Sequence, residues 1–446
     1  MKKKFIIPLL LISPILYGSD SSSQDLFVLS LEDLMIIKVS GATLTEQSLK
    51  DVPSSVTVFN HEQINQLGLD YLHELMGQVP GFQSFRSSYS PQLSSFSSRG
   101  RTIGGLGAEV LLVVDGQRID EPRTSGSIII GGKIPLVHIE RVEFIRGPGS
   151  AVYGSNAMLG VVNIITRKSK NEIAVAAGSF QKKQAHLFAS HQEKELKINL
   201  FARTEEDQGD DFNVPSSYTA GRIDTSDPIE ARQLNFNLTF KDTHINMQHY
   251  QSHTEDFYMF GTIANDINES DSQFDSLSIK QNFNLPHLNS WLRISEHQSK
   301  YFIAGQLSPE GAFSGNSNPD SSEALLTRVD LKTYKEQQIQ WHSDWKINPQ
   351  RSLQFGLDFR QLNAPEVIAQ NNFDLADLVN QVDPIRYYGE LLATTPIQKK
   401  SQRDILGLYS QYQQIFQSVS QLTLGLRYDR FSSIGEKISP RIAWVQ

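Results

Sequence analysis

The stretch LKINLFAR, from Leu196 to Arg203, sets Leu196, Ile198, Leu200 and Ala202 in alternation with Lys197, Asn199, Phe201 and Arg203. The same period of two recurs in LNFNLTFK (Leu234 to Lys241), LQFGLDFR (Leu353 to Arg360) and LTLGLRYD (Leu422 to Asp429). A period of two gives each strand one apolar and one polar face. Such strands suit a soluble β-sandwich with the apolar face inward, or a membrane barrel with that face turned to lipid. Here the polar face carries Lys, Arg, Asp and Asn. Long connections, Asn213 to Asp227, Met259 to Gln273, Gly305 to Ser322 and Asn363 to Gln402, alternate with short ones. Short turns at one end and long loops at the other mark an outer-membrane barrel.

Composition narrows the field further. The chain has 446 residues, 39% hydrophobic and 20% charged, which is neither a disordered tail nor a coiled coil. Lys and Arg number 41 against 49 Asp and Glu, a net charge of −8, so no broad basic surface for nucleic acid is expected. There is no cysteine, which removes disulfide scaffolds, thiolate metal sites and cysteine nucleophiles. Past the first residues no run reaches the ~18 apolar residues of a spanning helix, a test that alternating strands do not have to pass.

The N-terminus reads as an address. Lys2, Lys3 and Lys4 precede a mostly apolar run from Phe5 to Tyr17, with small Gly18 and Ser19 behind it. This is the pattern of a cleaved secretory signal, set at residues 1–19. From Val52 to Arg167 the sequence reads as a compact α/β unit. Ser54 to Phe59 is a β-branched run, and Glu62 to Leu67 and Leu69 to Gly77 are two short helices separated by Gly68. Glu109 to Val114 is a strand ending at the turn Asp115-Gly116; Ile139 to Ile145 and Val161 to Thr166 are two more. The Gly-rich stretch Arg146 to Gly160 lacks a Gly-Lys-Ser/Thr ending, so it is read as tight turns and not as a phosphate loop.

The segment VEFIRGPGSAVYGSNAMLGVVNIITRK, Val142 to Lys168, resembles the plug domain of TonB-dependent outer-membrane receptors. DVPSSVTVFNHEQI (Asp51 to Ile64), LMGQVPGF (Leu75 to Phe82), SSRG (Ser97 to Gly100) and VLLVVDGQRI (Val110 to Ile119) match that plug in the family's order, and LTLGLRYDRFSSIGEKISPRIAWV (Leu422 to Val445) resembles a strand pair of the family's barrel. The resemblance implies an α/β plug domain inside a transmembrane antiparallel β-barrel. It sets a periplasmic segment at 20–50, the plug at 51–168 and barrel strands from 169 to 446. It also implies a location in the Gram-negative outer membrane, contact with outer-membrane lipid, a monomer, no resident cofactor or metal, and no enzymatic activity.

Residue roles follow from the same likeness. Ile36, Ile37, Lys38, Val39, Ser40, Gly41 and Ala42 match the coupling box that engages TonB, and an extended segment of that kind can add to a partner's sheet edge. By position, Arg86, Ser88, Tyr89, Arg123 and Thr124 fall in apical plug loops, where Arg and Tyr offer charge and an aromatic face to an anionic metal chelate. Arg141, Glu143 and Arg146 are expected to seat the plug, with Arg146 paired to a carboxylate of the inner barrel wall. EEDQGDD, Glu205 to Asp211, reads as a solvated acidic loop, with Ca²⁺ as the alternative.

About 13 strands are counted after Lys168, against about 22 in complete transporters of this kind, so the barrel is expected to be truncated. The function implied is TonB-dependent import of a scarce bulky nutrient: a ferric siderophore first, then cobalamin or haem. The alternatives are a passive or phage- and colicin-exploited surface binding protein, an inactive receptor fragment, and a soluble extracellular β-sandwich.

Overall fold

The computed structural model describes residues 38–39, 47–48, 52, 54–86, 94–101, 109–119, 133–216, 221–312, 323–382, 385–416 and 420–446. The proposed signal segment lies outside them. Residues from Ser55 to Thr166 build a five-stranded sheet from β1 (Ser55–Asn60), β2 (Val110–Val114), β3 (Gln117–Arg118), β4 (Ile139–Arg146) and β5 (Gly160–Thr166). Its spatial order is β1-β4-β5-β2-β3; β5 and β2 run parallel and the other pairs antiparallel.

Local chemistry fixes the helices beside it. Asn60 accepts from the Gln63 amide at 2.9 Å, and Gln63 Oε1 accepts from the Asn60 amide at 3.0 Å, a reciprocal cap that starts α1 (His61–Leu67). Gly68, at φ +65, ends it in the left-handed conformation that glycine adopts without strain. The second short helix, α2, is Leu72–Met76, and α3 is Ser150–Tyr153.

Both faces of the β1–β5 sheet are covered. One carries Val142, Phe144, Val162 and Ile164 against Leu72, Leu75 and Met76 of α2. The other carries Leu111, Val113, Ile145 and Val161 against Val152, Tyr153 and Ala157. Phe144 is fully buried and meets Phe59 and Phe82 edge-on, with ring centroids 6.1 and 5.6 Å away.

Twelve further strands form one antiparallel path: β6 (Glu172–Ala177), β7 (Lys183–Glu193), β8 (Leu196–Asp207), β9 (Ile229–Phe240), β10 (Thr243–Glu255), β11 (Glu269–Leu285), β12 (Leu288–Ser308), β13 (Leu325–Asn348), β14 (Arg351–Ala364), β15 (Ser401–Phe416), β16 (Ser420–Phe431) and β17 (Gly435–Val445). The path is open, with β6 and β17 as its edges. It holds twelve strands where the sequence suggests about 13. The strands Val367–Phe373 and Tyr387–Gln398 form a hairpin off the path, which pairs with the top of β13 and so adds no wall strand. The long connections 208–228, 256–268, 309–324 and 365–400 all fall at one end of the path.

The path has the two faces that the alternation requires. Leu234, Phe240, Met247, Ile279, Ile294, Trp341, Trp345, Leu426, Ile442 and Trp444 point outward and are exposed. Inward positions are polar and buried, among them Arg203, Asn235, Ser278, Arg293, Gln338, Arg360 and Arg427. That is the reverse of a soluble sandwich, and an apolar outer face of this extent is stable only in lipid. Among the described residues no helix is long and apolar enough to cross a membrane.

The plug and the wall share a core. Tyr250, Phe274, Tyr301 and Ile303 of the wall join the larger plug cluster, and Tyr409 of β15 joins the smaller one. Phe144 sits at the centre of the plug, so Phe144→Ala should cost about 3–5 kcal/mol of plug stability, and Phe144→Leu clearly less. Urea titration of the full chain in detergent, read by deuterium exchange at the amides of β4, measures both.

Candidate functional site

The residues singled out by sequence fall unevenly. Lys38–Val39 forms a two-residue antiparallel ladder with Gln47–Ser48. Val39 is fully buried beside Val52, against Val56 and Val58 of β1. Ile36, Ile37, Ser40, Gly41 and Ala42 lie outside the described residues, as do Ser88, Tyr89, Arg123 and Thr124. The backbone of Arg86 closes the strand Phe82–Arg86, which pairs with Ser94–Ser98; its side chain lies outside the description.

Arg141, Glu143 and Arg146 bond within the plug. The buried Glu143 carboxylate accepts from Arg141 Nε and Asn163 Nδ2, each at 2.9 Å. Arg146 donates to the Pro80 carbonyl at 3.0 Å and to the hydroxyls of Ser55 and Thr57. The expected pairing of Arg146 with a wall carboxylate is therefore corrected. Ser55 is its register partner on β1, so the guanidinium lies across the neighbouring plug strand.

The bonds that join plug to wall lie elsewhere. Glu205, on the inward face of β8, is fully buried. It accepts from the Tyr71 hydroxyl at 2.5 Å and pairs with Arg203 and, at 3.3 Å, with Lys182. Lys182 also reaches Asp70 at 2.6 Å, and the cations of Lys182, Arg203 and Lys133 lie 5.0–5.7 Å from the Tyr71 ring centre. Burial, reinforced by the Glu205 charge, pushes the Tyr71 phenol well above its ordinary pKa, so it remains a donor. This corrects the reading of Glu205 to Asp211 as a solvated acidic loop. Glu205 to Asp207 continue β8, and the strand's parity turns Glu205 into the lumen beside Arg203. Among the described residues no group of three His, Asp or Glu is placed to hold a metal.

A second set of contacts grips the plug's turns. Arg293 of β12 donates to the Gly116 carbonyl, and Gln117 Nε2 lies 2.7 Å from His297 Nε2. The Asp115 carboxylate accepts from the amide and hydroxyl of Thr166, bracing that turn. Arg118 donates to the carbonyls of Tyr153 and Ser155 at 2.7 and 2.9 Å. Arg360 of β14, paired to Glu336 at 2.6 and 3.0 Å, reaches the Ser155 hydroxyl at 3.3 Å. Arg427 of β16 packs closely on Gly154, where a Cβ would lie 2.5 Å from its Nη2, and the φ of +75 there is strained for any residue with a side chain. None of these contacts has a local sequence signal, since their partners lie up to hundreds of residues apart. The one legible clue is parity, which puts Arg203 on the polar face of β8.

His138 completes the seat. Its ring stacks on Phe201 of β8 with centroids 4.7 Å apart, and Nδ1 lies 2.8 Å from the Pro135 carbonyl. Burial pushes its imidazole down to about 4. The unfolded chain, with His near 6.5, therefore binds more protons between those values, and stability complete above pH 6.5 is lost as pH falls toward 4. The loss is bounded at roughly 3 kcal/mol. The difference in urea midpoint between wild type and His138→Gln at pH 7.5, 5.5 and 4.5 should narrow as pH falls.

The seat on β8 gives a second expectation. Tyr71→Phe should cost about 1 kcal/mol, because Arg203 and Lys182 still hold Glu205. Glu205→Ala leaves the buried Arg203 without its carboxylate, while Lys182 keeps Asp70, and should cost about 3–5 kcal/mol. Urea midpoints of plug unfolding in the full chain rank the two.

Comparison with known proteins bears on this geometry. The family description of the TonB-dependent Receptor Plug Domain matches residues 48–161. The chain is 36% identical over 145 residues to the vitamin B12 transporter BtuB of Vibrio vulnificus, a match covering 32% of this chain and 23% of that protein. By structure it resembles the pyoverdine outer membrane receptor FpvA of Pseudomonas aeruginosa, with a TM-score of 0.68 and 14% identity over 91% of this chain and 62% of that one. It also resembles the ferric yersiniabactin uptake receptor FyuA of Yersinia pestis, with a TM-score of 0.59 and 14% identity over 88% and 61%. The chain thus spans about three-fifths of these solved receptors. The structural likenesses bear on the fold, and the plug match adds a receptor family, not an enzyme family. Residues 48–161 thus match the plug domain of TonB-dependent receptors, and that domain is seated against the polar face of a sheet whose fold is that of such receptors.

Proposed function

We propose that the chain serves TonB-dependent import of a bulky, scarce nutrient across the outer membrane, after removal of a signal peptide at 1–19. The observation that carries this reading is the plug's seat. The plug has its own core, yet much of its hold on the wall is polar: Tyr71 to Glu205, Lys182 to Asp70, Gln117 to His297 and Arg293 to Gly116. Polar contacts of this kind break singly, whereas a continuous apolar interface resists stepwise opening.

The segment Ile36 to Ala42 is the proposed handle. Lys38–Val39 is held by a two-residue ladder and by Val39 against Val52, a small attachment that an added partner strand can replace. The ligand proposed first is a ferric siderophore, with cobalamin next. Two likenesses support these choices: BtuB is a vitamin B12 transporter, and FyuA takes up ferric yersiniabactin. Arg86, which closes the strand Phe82–Arg86, and Ser88, Tyr89, Arg123 and Thr124 are the proposed ligand contacts. Arg141, Glu143 and Arg146 are proposed to seat the plug indirectly, by stiffening β1 and β4.

The test is uptake by cells expressing the receptor, with cobalamin and a panel of ferric siderophores as probes. Deleting Ile36 to Ala42 should abolish energised uptake and leave surface binding intact. Unchanged uptake would return the protein to the class of passive surface binders.

A further inference from the structure

Near the short-turn end of the wall, the inner face carries a pair that strand pairing ordinarily avoids. Lys280 of β11 and Arg293 of β12 are register partners. Their parity with the buried Ser278 and Ser295 turns both into the lumen. Side chains directly opposite have Cβ atoms about 4.5–5.5 Å apart, and like charges there repel. The two cations also share one ring. Lys280 Nζ lies 5.0 Å, and the Arg293 guanidinium 5.3 Å, from the centre of the Trp291 indole.

The surroundings add positive charge and little negative charge. The charges felt most at Lys280 are those of Arg293 and of Lys168, which follows the last plug strand. The Lys168 side chain is 48% exposed, so the cluster is open to solvent there. Among the described residues no carboxylate pairs with Lys280 or Arg293. The acid that faces Arg293 is Asp115, and its carboxylate is already committed. It accepts from the Thr166 hydroxyl at 2.6 Å and amide at 3.1 Å, and it lies 3.7 Å from Lys168. Arg293 spends Nη1 on the Gly116 carbonyl and Nη2 on that of Asp115, while its Nε has no partner although the residue is only 7% exposed. His244, the partner of Lys280 on β10, is held by Thr239 and Asn282. Three cations, Lys168, Lys280 and Arg293, therefore face one carboxylate.

We propose that these three cations form a binding site for a phosphate group, at the junction of plug and wall, with Trp291 beneath it. An oxyanion placed between register partners turns their repulsion into two attractions. Guanidinium and ammonium groups are strong donors to phosphate oxygens. The excess of two positive charges matches a doubly charged oxyanion better than a single carboxylate. Contact with the indole holds both cationic heads without occupying an acceptor. The site goes beyond the import reading and does not depend on it.

Tryptophan placement makes the test direct. The chain has four tryptophans, and Trp341, Trp345 and Trp444 are exposed on the lipid side. Changing those three to Phe in the full chain leaves Trp291 as the reporter, read by fluorescence in detergent at constant pH and ionic strength. Inorganic phosphate tests the free ion, and glycerol 3-phosphate tests a phosphate group carried by a solute. A saturable response to either supports the site. Lys280→Gln and Lys168→Gln should each weaken it about tenfold or more. Lys197→Gln is the control. It removes an inward lysine of the same cross-strand row, three strands away on β8, and should leave the affinity unchanged. No saturable response to either probe overturns the proposal. So does unchanged affinity in Lys280→Gln, or an equal loss in Lys197→Gln, which would mean general attraction to a basic lumen. Should Lys280→Gln or the tryptophan changes prevent folding, Lys280→Met and calorimetry on the otherwise unaltered chain carry the comparison. Binding needs no energy source, so failure of this site is distinct from failure of import, which uptake alone decides.

Discussion

A sheet with its apolar side chains in lipid must turn its polar side chains inward, and a polar inner face in a lumen must be hydrogen-bonded or wet. Much else in this structure answers that requirement. Glu205 would be an uncompensated buried charge without Arg203, Lys182 and the Tyr71 hydroxyl. Arg293 needs the carbonyl of Gly116, and Arg360 needs Glu336 and Ser155. The plug is held because the wall needs it, and it supplies carbonyls and hydroxyls at turns whose backbones project from the sheet.

The same requirement explains the mixed character of the interface. Aromatic wall residues, Tyr250, Phe274, Tyr301 and Tyr409, extend the plug's two apolar clusters. Apolar burial of that kind gives cohesion without direction. The polar pairs give the plug its orientation, and each is replaceable by water at small net cost. Glu143 and Arg146 serve within the plug, where they tie β4 to β5 and to β1, so that a pull on any strand of the sheet is carried to the rest.

Much of this is readable in the chain before folding. Alternation in LKINLFAR and its repeats specifies the strands, the two faces and the lipid-facing side. The five ordered plug blocks specify the domain, and the cap at Asn60 and Gln63 starts its first helix. Sequence pattern reads Asn363 to Gln402 as one long connection, and local pattern cannot say that it folds into the hairpin from Val367 to Gln398, whose partner is β13. For Arg146, charge beside a rigid turn suggests an outward reach to the wall; only the register of Ser55 against Arg146 shows where the guanidinium goes.

The sequence alone determined what depends on neighbours in the chain: period, parity, caps, turns and the order of motifs. Parity put Arg203 on the polar face of its strand; that Glu205 continues that strand and joins it there is a feature of the fold. Which lumen residues meet the plug was decided only in three dimensions. Tyr71 and Glu205 are 134 residues apart, and Arg360 and Ser155 are 205 apart. Such pairs depend on the sheet's curvature and on how deep the plug sits, and no local preference encodes either.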